Sequence, residues 1–293
     1  MTEIHHFTYG VFNPIAAYLL AFLGSFFGLL CTARARDART RGRRNRWLGI
    51  AAFSIGGGAI WLMHFAAMLG FDVPESPVRY DVAVTAGSMI VAVIAVGLGL
   101  LIVGHGDRSL GKVLAAGVLT GGGVLAMHYS GMEAMHVAGA VHYDLSLVTA
   151  SAVIAVVASA VAHWFAISVS GWFRVTGAAA IMAVAVCGMH YTGMAAMSVH
   201  LDADRVDQVH GIRPLMMIVP ITLITAATIV GVALSALQAM TEEEFSDGAP
   251  APRRGVHAES TAGAWSLKQA NLASANARRP SPRPVPMGST SNS

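Results

Sequence analysis

The sequence predicts an all-α membrane protein: seven transmembrane helices built from three helix-pair repeats plus a seventh helix. Three observations carry this. Apolar runs of about 18 residues or more recur along the chain, long enough to cross the hydrocarbon core of a bilayer. Charged residues make up only 12% of the 293 residues and gather between those runs. One six-residue phrase is written three times: Met63-His64-Phe65-Ala66-Ala67-Met68, Met127-His128-Tyr129-Ser130-Gly131-Met132 and Met189-His190-Tyr191-Thr192-Gly193-Met194. Its histidines are 64 and 62 residues apart, which is two spans with their loops. The repeat unit is therefore a helix pair whose second member carries the phrase.

Residues 1–12 form a short polar and aromatic lead. Pro14 suits the first turn of a helix, where its missing N–H costs nothing, and span one runs from about Pro14 to Cys31. A dense basic loop follows, from Arg34 to Arg46, with seven arginines. Span two runs from about Trp47 to Phe71 and holds the first phrase. After the Pro- and acid-containing loop Asp72 to Asp81, span three runs from about Val82 to Val103. Arg108 and Lys112 mark the next short loop. Span four, about 111–135, holds the second phrase. The loop from His136 to Asp144 has one acid and no Lys or Arg. Span five runs from about Leu145 to Val169, and Arg174 follows it. Span six, about 175–199, holds the third phrase. The loop from His200 to Arg213 carries three aspartates against two arginines, and span seven runs from about Pro214 to Met240.

Residues 13–240 thus form the membrane domain. Residues 241–293 are polar and Pro-rich, too poor in apolar surface to bury a core, and are expected to be a disordered cytoplasmic tail. The loops after spans one, three and five carry the arginine excess. The positive-inside rule then puts the N-terminus outside and the C-terminus in the cytoplasm of a multi-pass plasma-membrane protein. The basic balance, net +3, reads as topology and not as nucleic-acid binding. No basic region precedes the first apolar run, so a cleaved signal peptide is not expected. Cys31 and Cys187 fall within apolar runs and do not make a disulfide framework.

A polar imidazole is expensive inside a membrane, and three in register point to function. Residues four apart share a helix face, so His64 and Met68 point the same way, as do His128 with Met132 and His190 with Met194. Met135 and Met197, seven residues after the histidine, extend that face in the second and third copies. Imidazole with thioether is a ligand set that suits Cu(I). The candidate metal ligands are therefore His64, Met68, His128, Met132, His190 and Met194, with Met135 and Met197 ranked lower. Met63, Met127 and Met189 rank lower too, because a neighbour in sequence sits about 100° around the helix. Spans two, four and six run in the same direction, so the histidines are expected at one depth. Seven to nine residues before the span ends corresponds to roughly 10–14 Å below the outer surface. Tyr129 and Tyr191 either orient a ligand or place a hydroxyl near the interface. Cys187, three before His190, reads as a buried apolar thiol. His105, His136, His142, His200 and His210 read as solvated loop residues, and His163 lies off the repeat. The glycines of the phrases and of Gly56-Gly57-Gly58 and Gly121-Gly122-Gly123 allow close helix approach.

The phrases Met-His-Tyr-Ser and Met-His-Tyr-Thr resemble the MHYT domain, an integral-membrane sensory module of bacteria. The resemblance covers about residues 10–240. It implies a copper centre near the outer face and the sensing of a diatomic gas, oxygen, CO or NO, or of redox state. It also implies an unidentified cytoplasmic signalling partner. Family members often carry cytoplasmic domains that make or break cyclic di-GMP; the short polar tail departs from that pattern, as does Phe65 where the motif has Tyr. No acid–base pair or nucleophile triad lies on the spans, so an enzyme is not expected. Two other classes compete: a copper-handling carrier or transporter, and a haem membrane protein with two axial histidines.

Overall fold

The structure, a computed structural model, describes residues 8, 10–202, 209–227, 230–231 and 234. The polar tail 241–293, most of the N-terminal lead and the end of span seven lie outside the described residues. Six described helices are long and apolar enough to cross a membrane: α1 Phe12–Asp37, α2 Arg41–Met68, α3 Val82–Gly104, α4 Leu110–Glu133, α5 Leu145–Ser168 and α6 Trp172–Ala195. A shorter apolar helix, α7 Pro214–Ala227, opens span seven. The chain is an all-α multi-pass membrane protein. Its outward faces are apolar, with Ile90, Ile94 and Leu98 on α3, Val153 and Val157 on α5 and Ile181 and Val184 on α6 all exposed. Such a belt is compatible with lipid and not with water.

Side-chain caps start four of the helices as the sequence chemistry demands. Thr40 accepts from the Arg43 N–H, Asp81 from Val84, Ser109 from Lys112 and Asp144 from Ser146 and Leu147. The expected basic loop is mostly helix. Only residues 38–40 separate α1 from α2, and the arginines extend both helices beyond their apolar stretches. Arginine is a good helix former, and Arg34 and Arg36 sit in the last turn of α1, where the helix dipole favours cations.

α2 is the inner helix, flanked by α1 and α3 and buried from Ser54 to Met68. Its ten residues Phe53–Leu62 wind as a π-helix, which returns to α-helix at Met63, directly before the first phrase. Glycines set the spacing. A Cβ on Gly24 of α1 would run into the backbone at Gly58–Ala59, and one on Gly56 into the backbone of α3 at Ala92–Val93. Ser54 uses this proximity to donate to the Gly24 carbonyl at 2.9 Å.

Two small antiparallel ladders close the phrase-bearing end. β1 Arg79–Tyr80 pairs with β2 Met135–His136, and β3 Gly139–Tyr143 pairs with β4 Met197–Leu201. The repeat is visible here in backbone detail. The Asp81 N–H donates to the Ala134 carbonyl just past the second phrase, and the Asp144 N–H donates to Ala196 just past the third, both at 2.8 Å.

These ladders correct two expectations. α4 stops at Glu133 and α6 at Ala195, so Met135 and Met197 are not on the helical stripe; they lie in strands, opposite Tyr80 and Tyr143. The histidines are also nearer their helix ends. His64, His128 and His190 precede Met68, Glu133 and Ala195 by four or five residues, about 6–8 Å at 1.5 Å per residue. The backbone leaves the helix early because strand pairing across the repeat satisfies the carbonyls that a longer helix would have used.

Candidate metal centre

The three phrases bring their histidines to one point. α2, α4 and α6 carry His64, His128 and His190, whose relative exposures are 0%, 0% and 1%. The His64 Nδ1 lies 3.0 Å from the His190 Nδ1 and 3.2 Å from the His128 Nδ1. One ring nitrogen of each lies within 4.8 Å of those of the other two. Ring centroids are 4.9–5.2 Å apart and the ring planes are close to mutually perpendicular.

Glycine makes the convergence possible. A Cβ on Gly131 of α4 would overlap the His64 imidazole at its Nε2 edge, and one on Gly193 of α6 would overlap the His128 imidazole in the same way. Each of those histidines thus lies on the glycine of the next phrase. The first phrase has Ala67 at the corresponding place. The sequence offered this glycine as a general helix-packing residue; its specific partner, the ring of the preceding repeat, emerges only in three dimensions.

The residue after each histidine stacks edge-on against it: Phe65 at 4.7 Å, Tyr129 at 4.9 Å and Tyr191 at 4.9 Å. The Tyr129 hydroxyl and Ser151 Oγ of α5 are 2.9 Å apart. Phe65 fills the same role by ring alone, packed between Trp61 and Tyr80.

All the singled-out methionines are buried, Met68, Met132 and Met194 as well as Met63, Met127, Met189, Met135 and Met197. Met63 belongs to a small cluster with Ala17, Ala21, Ala67 and Ala183, and Met189 lines an internal cavity beside His163, Thr120 and Met182. Cys187 and Cys31 are free thiols. Among the described residues the three phrase histidines form the one cluster of His, Cys, Asp or Glu arranged to share an ion. His136, His142, His200 and His210 are exposed or partly exposed at the ladder end, with His142 and His200 stacked across β3 and β4 at 4.9 Å. His163, which no sequence signal singled out, is buried and bonded through Nδ1 to the Ser159 carbonyl at 2.7 Å.

The donor set fits a soft or borderline cation. Two neutral imidazoles can share one proton between facing nitrogens, but three nitrogens around one point cannot all be satisfied by N–H bonds among themselves. The Nε2 atoms of His64 and His128 are buried without a hydrogen-bond partner. A protein does not ordinarily collect that many uncompensated polar atoms in an apolar interior. A cation at the convergence would give the three Nδ1 lone pairs a shared partner and fix the proton of each ring on Nε2, and imidazole suits copper, zinc, iron and nickel alike.

Comparison with known proteins agrees with this architecture. The family described as "MHYT: Bacterial signalling protein N terminal repeat" matches residues 57–116, 121–179 and 184–245. The bifunctional diguanylate cyclase/cyclic di-GMP phosphodiesterase MucR of Pseudomonas aeruginosa is 35% identical over 233 residues, 76% of this chain and 34% of its own length. The cyclic di-GMP phosphodiesterase NbdA of the same organism is 31% identical over 202 residues, 67% of this chain and 25% of its own length. The signaling protein YkoW of Bacillus subtilis is 28% identical over 204 residues, again covering 67% of this chain and 25% of its own. The chain therefore spans a quarter to a third of the length of these relatives. No solved structure matches. Three matched repeats, each contributing one helix of the histidine cluster, make this chain a member of the MHYT family of bacterial signalling proteins.

Proposed function

We propose that this membrane domain is a sensor that holds one copper ion through His64, His128 and His190 and responds to a diatomic gas (oxygen, CO or NO) or to redox state. The observation that supports the reading is the convergence of three buried imidazoles, with the Nδ1 atoms of His128 and His190 both within hydrogen-bonding distance of the His64 Nδ1. The ligands are neutral and, among the described residues, no carboxylate joins the cluster, so Cu(I) leaves a single positive charge where a divalent ion would leave two, and uncompensated charge in hydrocarbon is expensive. Met68, Met132 and Met194, four residues after each histidine, are the thioethers on the same helix face, and thioethers select Cu(I). When bound, copper supplies an open coordination position for a small gas. The chain's own part is to hold three rings on three separate helices, so that any change in ring position is a change in how α2, α4 and α6 pack. Tyr129 and Tyr191 brace two of those rings.

The arginine bias of the loops supports a site near the outer face, with the N-terminus outside and residues 241–293 in the cytoplasm, where a signalling partner reads the change. The activities that give MucR and NbdA their names concern cyclic di-GMP; this chain is read as a sensing module of that kind of pathway and not as an enzyme. A haem needs a porphyrin-wide slot between its axial histidines, and rings 4.9–5.2 Å apart leave none. A carrier spreads its ligands along a path, whereas these three share one level.

Metal analysis of protein purified after copper-replete growth tests the proposal, wild type beside a triple His64→Ala, His128→Ala, His190→Ala variant. About one copper per chain in the first and none in the second is expected. Wild-type protein that carries no copper under those conditions overturns it.

A further inference from the structure

We propose that the arginine-rich end of the bundle holds a binding site for a phosphate-bearing anion, built by Arg36, Arg44 and Arg108. These residues line a cavity of about 160 Å³ between α1, α2, α3 and α5, far along the helices from the histidines. Thr32, Gly104 and Gly106 complete its polar lining, and among the described residues no Asp or Glu takes part. The nearby acids Asp37 and Asp107 are exposed and outside it.

Two of the guanidinium groups are held in place by the fold, and the third stands on a fixed turn. Arg36 donates through both terminal nitrogens to the Ala166 and Val169 carbonyls at the end of α5. Arg44 reaches the Gly104 carbonyl at the end of α3 at 3.5 Å. Lys112 fixes the connecting turn by donating to the His105 and Asp107 carbonyls at 2.8 and 3.0 Å, which sets the rim where Arg108 stands exposed. Three positive charges face one small space, with Asp37 at its outside the one acid among the described residues that acts on Arg36, and the Arg44 Nε is buried with no acceptor. Carbonyls accept hydrogen bonds but do not offset like-charge repulsion. A phosphate supplies both charge and acceptors, and the planar guanidinium matches its oxygens two at a time. Basic pockets between transmembrane helices take anionic lipid head groups in this way; a free phosphate ion offers the same chemistry.

The test uses the full chain in a neutral detergent and follows its thermal midpoint. One arm titrates sodium phosphate against sodium chloride at constant ionic strength. The other adds phosphatidylglycerol or phosphatidylcholine to the micelles. Wild type should be stabilised by phosphatidylglycerol, by phosphate, or by both, and the responding arm identifies the source. Arg108→Gln, at the exposed rim and safe for folding, should weaken the apparent affinity about tenfold, the loss of one charge-assisted bond; Arg44→Gln should do the same. Arg41→Gln, exposed on the same end and outside the cavity, should change nothing. No response to either anion, an undiminished response in Arg108→Gln, or an equal loss in Arg41→Gln overturns the site.

Discussion

Gly193 lies against the imidazole of His128, so closely that a single added methyl group would occupy the ring's position. The two residues come from different repeats, and the same relation holds between Gly131 and His64. A phrase that looks like a unit in the sequence therefore works as two halves: its histidine faces the centre and its glycine seats the histidine of a neighbour.

Gly193→Ala and Gly131→Ala should each displace a ring and overpack the interface, by about 1–3 kcal/mol. Both should lower metal occupancy while the protein still elutes as a folded species. Ala67→Gly seats no known ring and should cost only about 1 kcal/mol of helix propensity, with occupancy retained. Thermal unfolding and metal stoichiometry on the three variants check the asymmetry; equal effects would mean that the glycines act through general packing.

Among single histidine changes, His64→Ala should be the most damaging to metal content. Its Nδ1 is the one placed within 3.2 Å of both others. His128→Ala and His190→Ala should leave a weaker two-histidine site, visible as faster loss of metal to a chelator.

Met132→Leu and Met127→Leu offer a clean comparison, because both residues are 1% exposed or less and the exchange conserves volume, costing under about 1.5 kcal/mol. If Met132 is a ligand, its change should lower copper affinity and Met127→Leu should not. Competition with a Cu(I) chelator reads the difference directly.

Tyr129→Phe should remove the hydroxyl contact with Ser151 and destabilise the protein by about 1 kcal/mol, without changing metal content. Phe65 already holds the equivalent place beside His64 without a hydroxyl. A double-mutant cycle with Ser151→Ala isolates that contact; copper loss in Tyr129→Phe would instead give the hydroxyl a role at the metal.

The start of α5 should be acid-sensitive. The Asp144 carboxylate accepts from the Ser146 hydroxyl and from the Leu147 and Ser146 N–H groups, and these bonds hold its pKa below the usual carboxylate range. A depressed folded-state pKa means the cap's contribution is complete above the unfolded value and fades as pH falls through the folded one. Asp144→Asn keeps a good capping residue and should flatten this part of the acid limb in thermal midpoints measured from pH 7 to pH 3.

The sequence by itself determined the membrane class, the repeat and the three histidines. Apolar length and a recurring phrase are local properties, and hydrocarbon leaves a spanning backbone little choice but helix. It also determined that the phrases share one level, since equal repeats on parallel helices place equal positions together. Tertiary structure decided what local periodicity cannot express. It ended α4 and α6 early, because backbone pairing between repeats moved Met135 and Met197 from the helical stripe into strands beside Tyr80 and Tyr143. It turned a basic loop into helix ends and gathered Arg36, Arg44 and Arg108 around one cavity. It also set Gly131 and Gly193 beneath the rings of His64 and His128, because the position of a ring against the next helix is fixed by how closely two backbones approach, and that distance belongs to the pair and not to either segment.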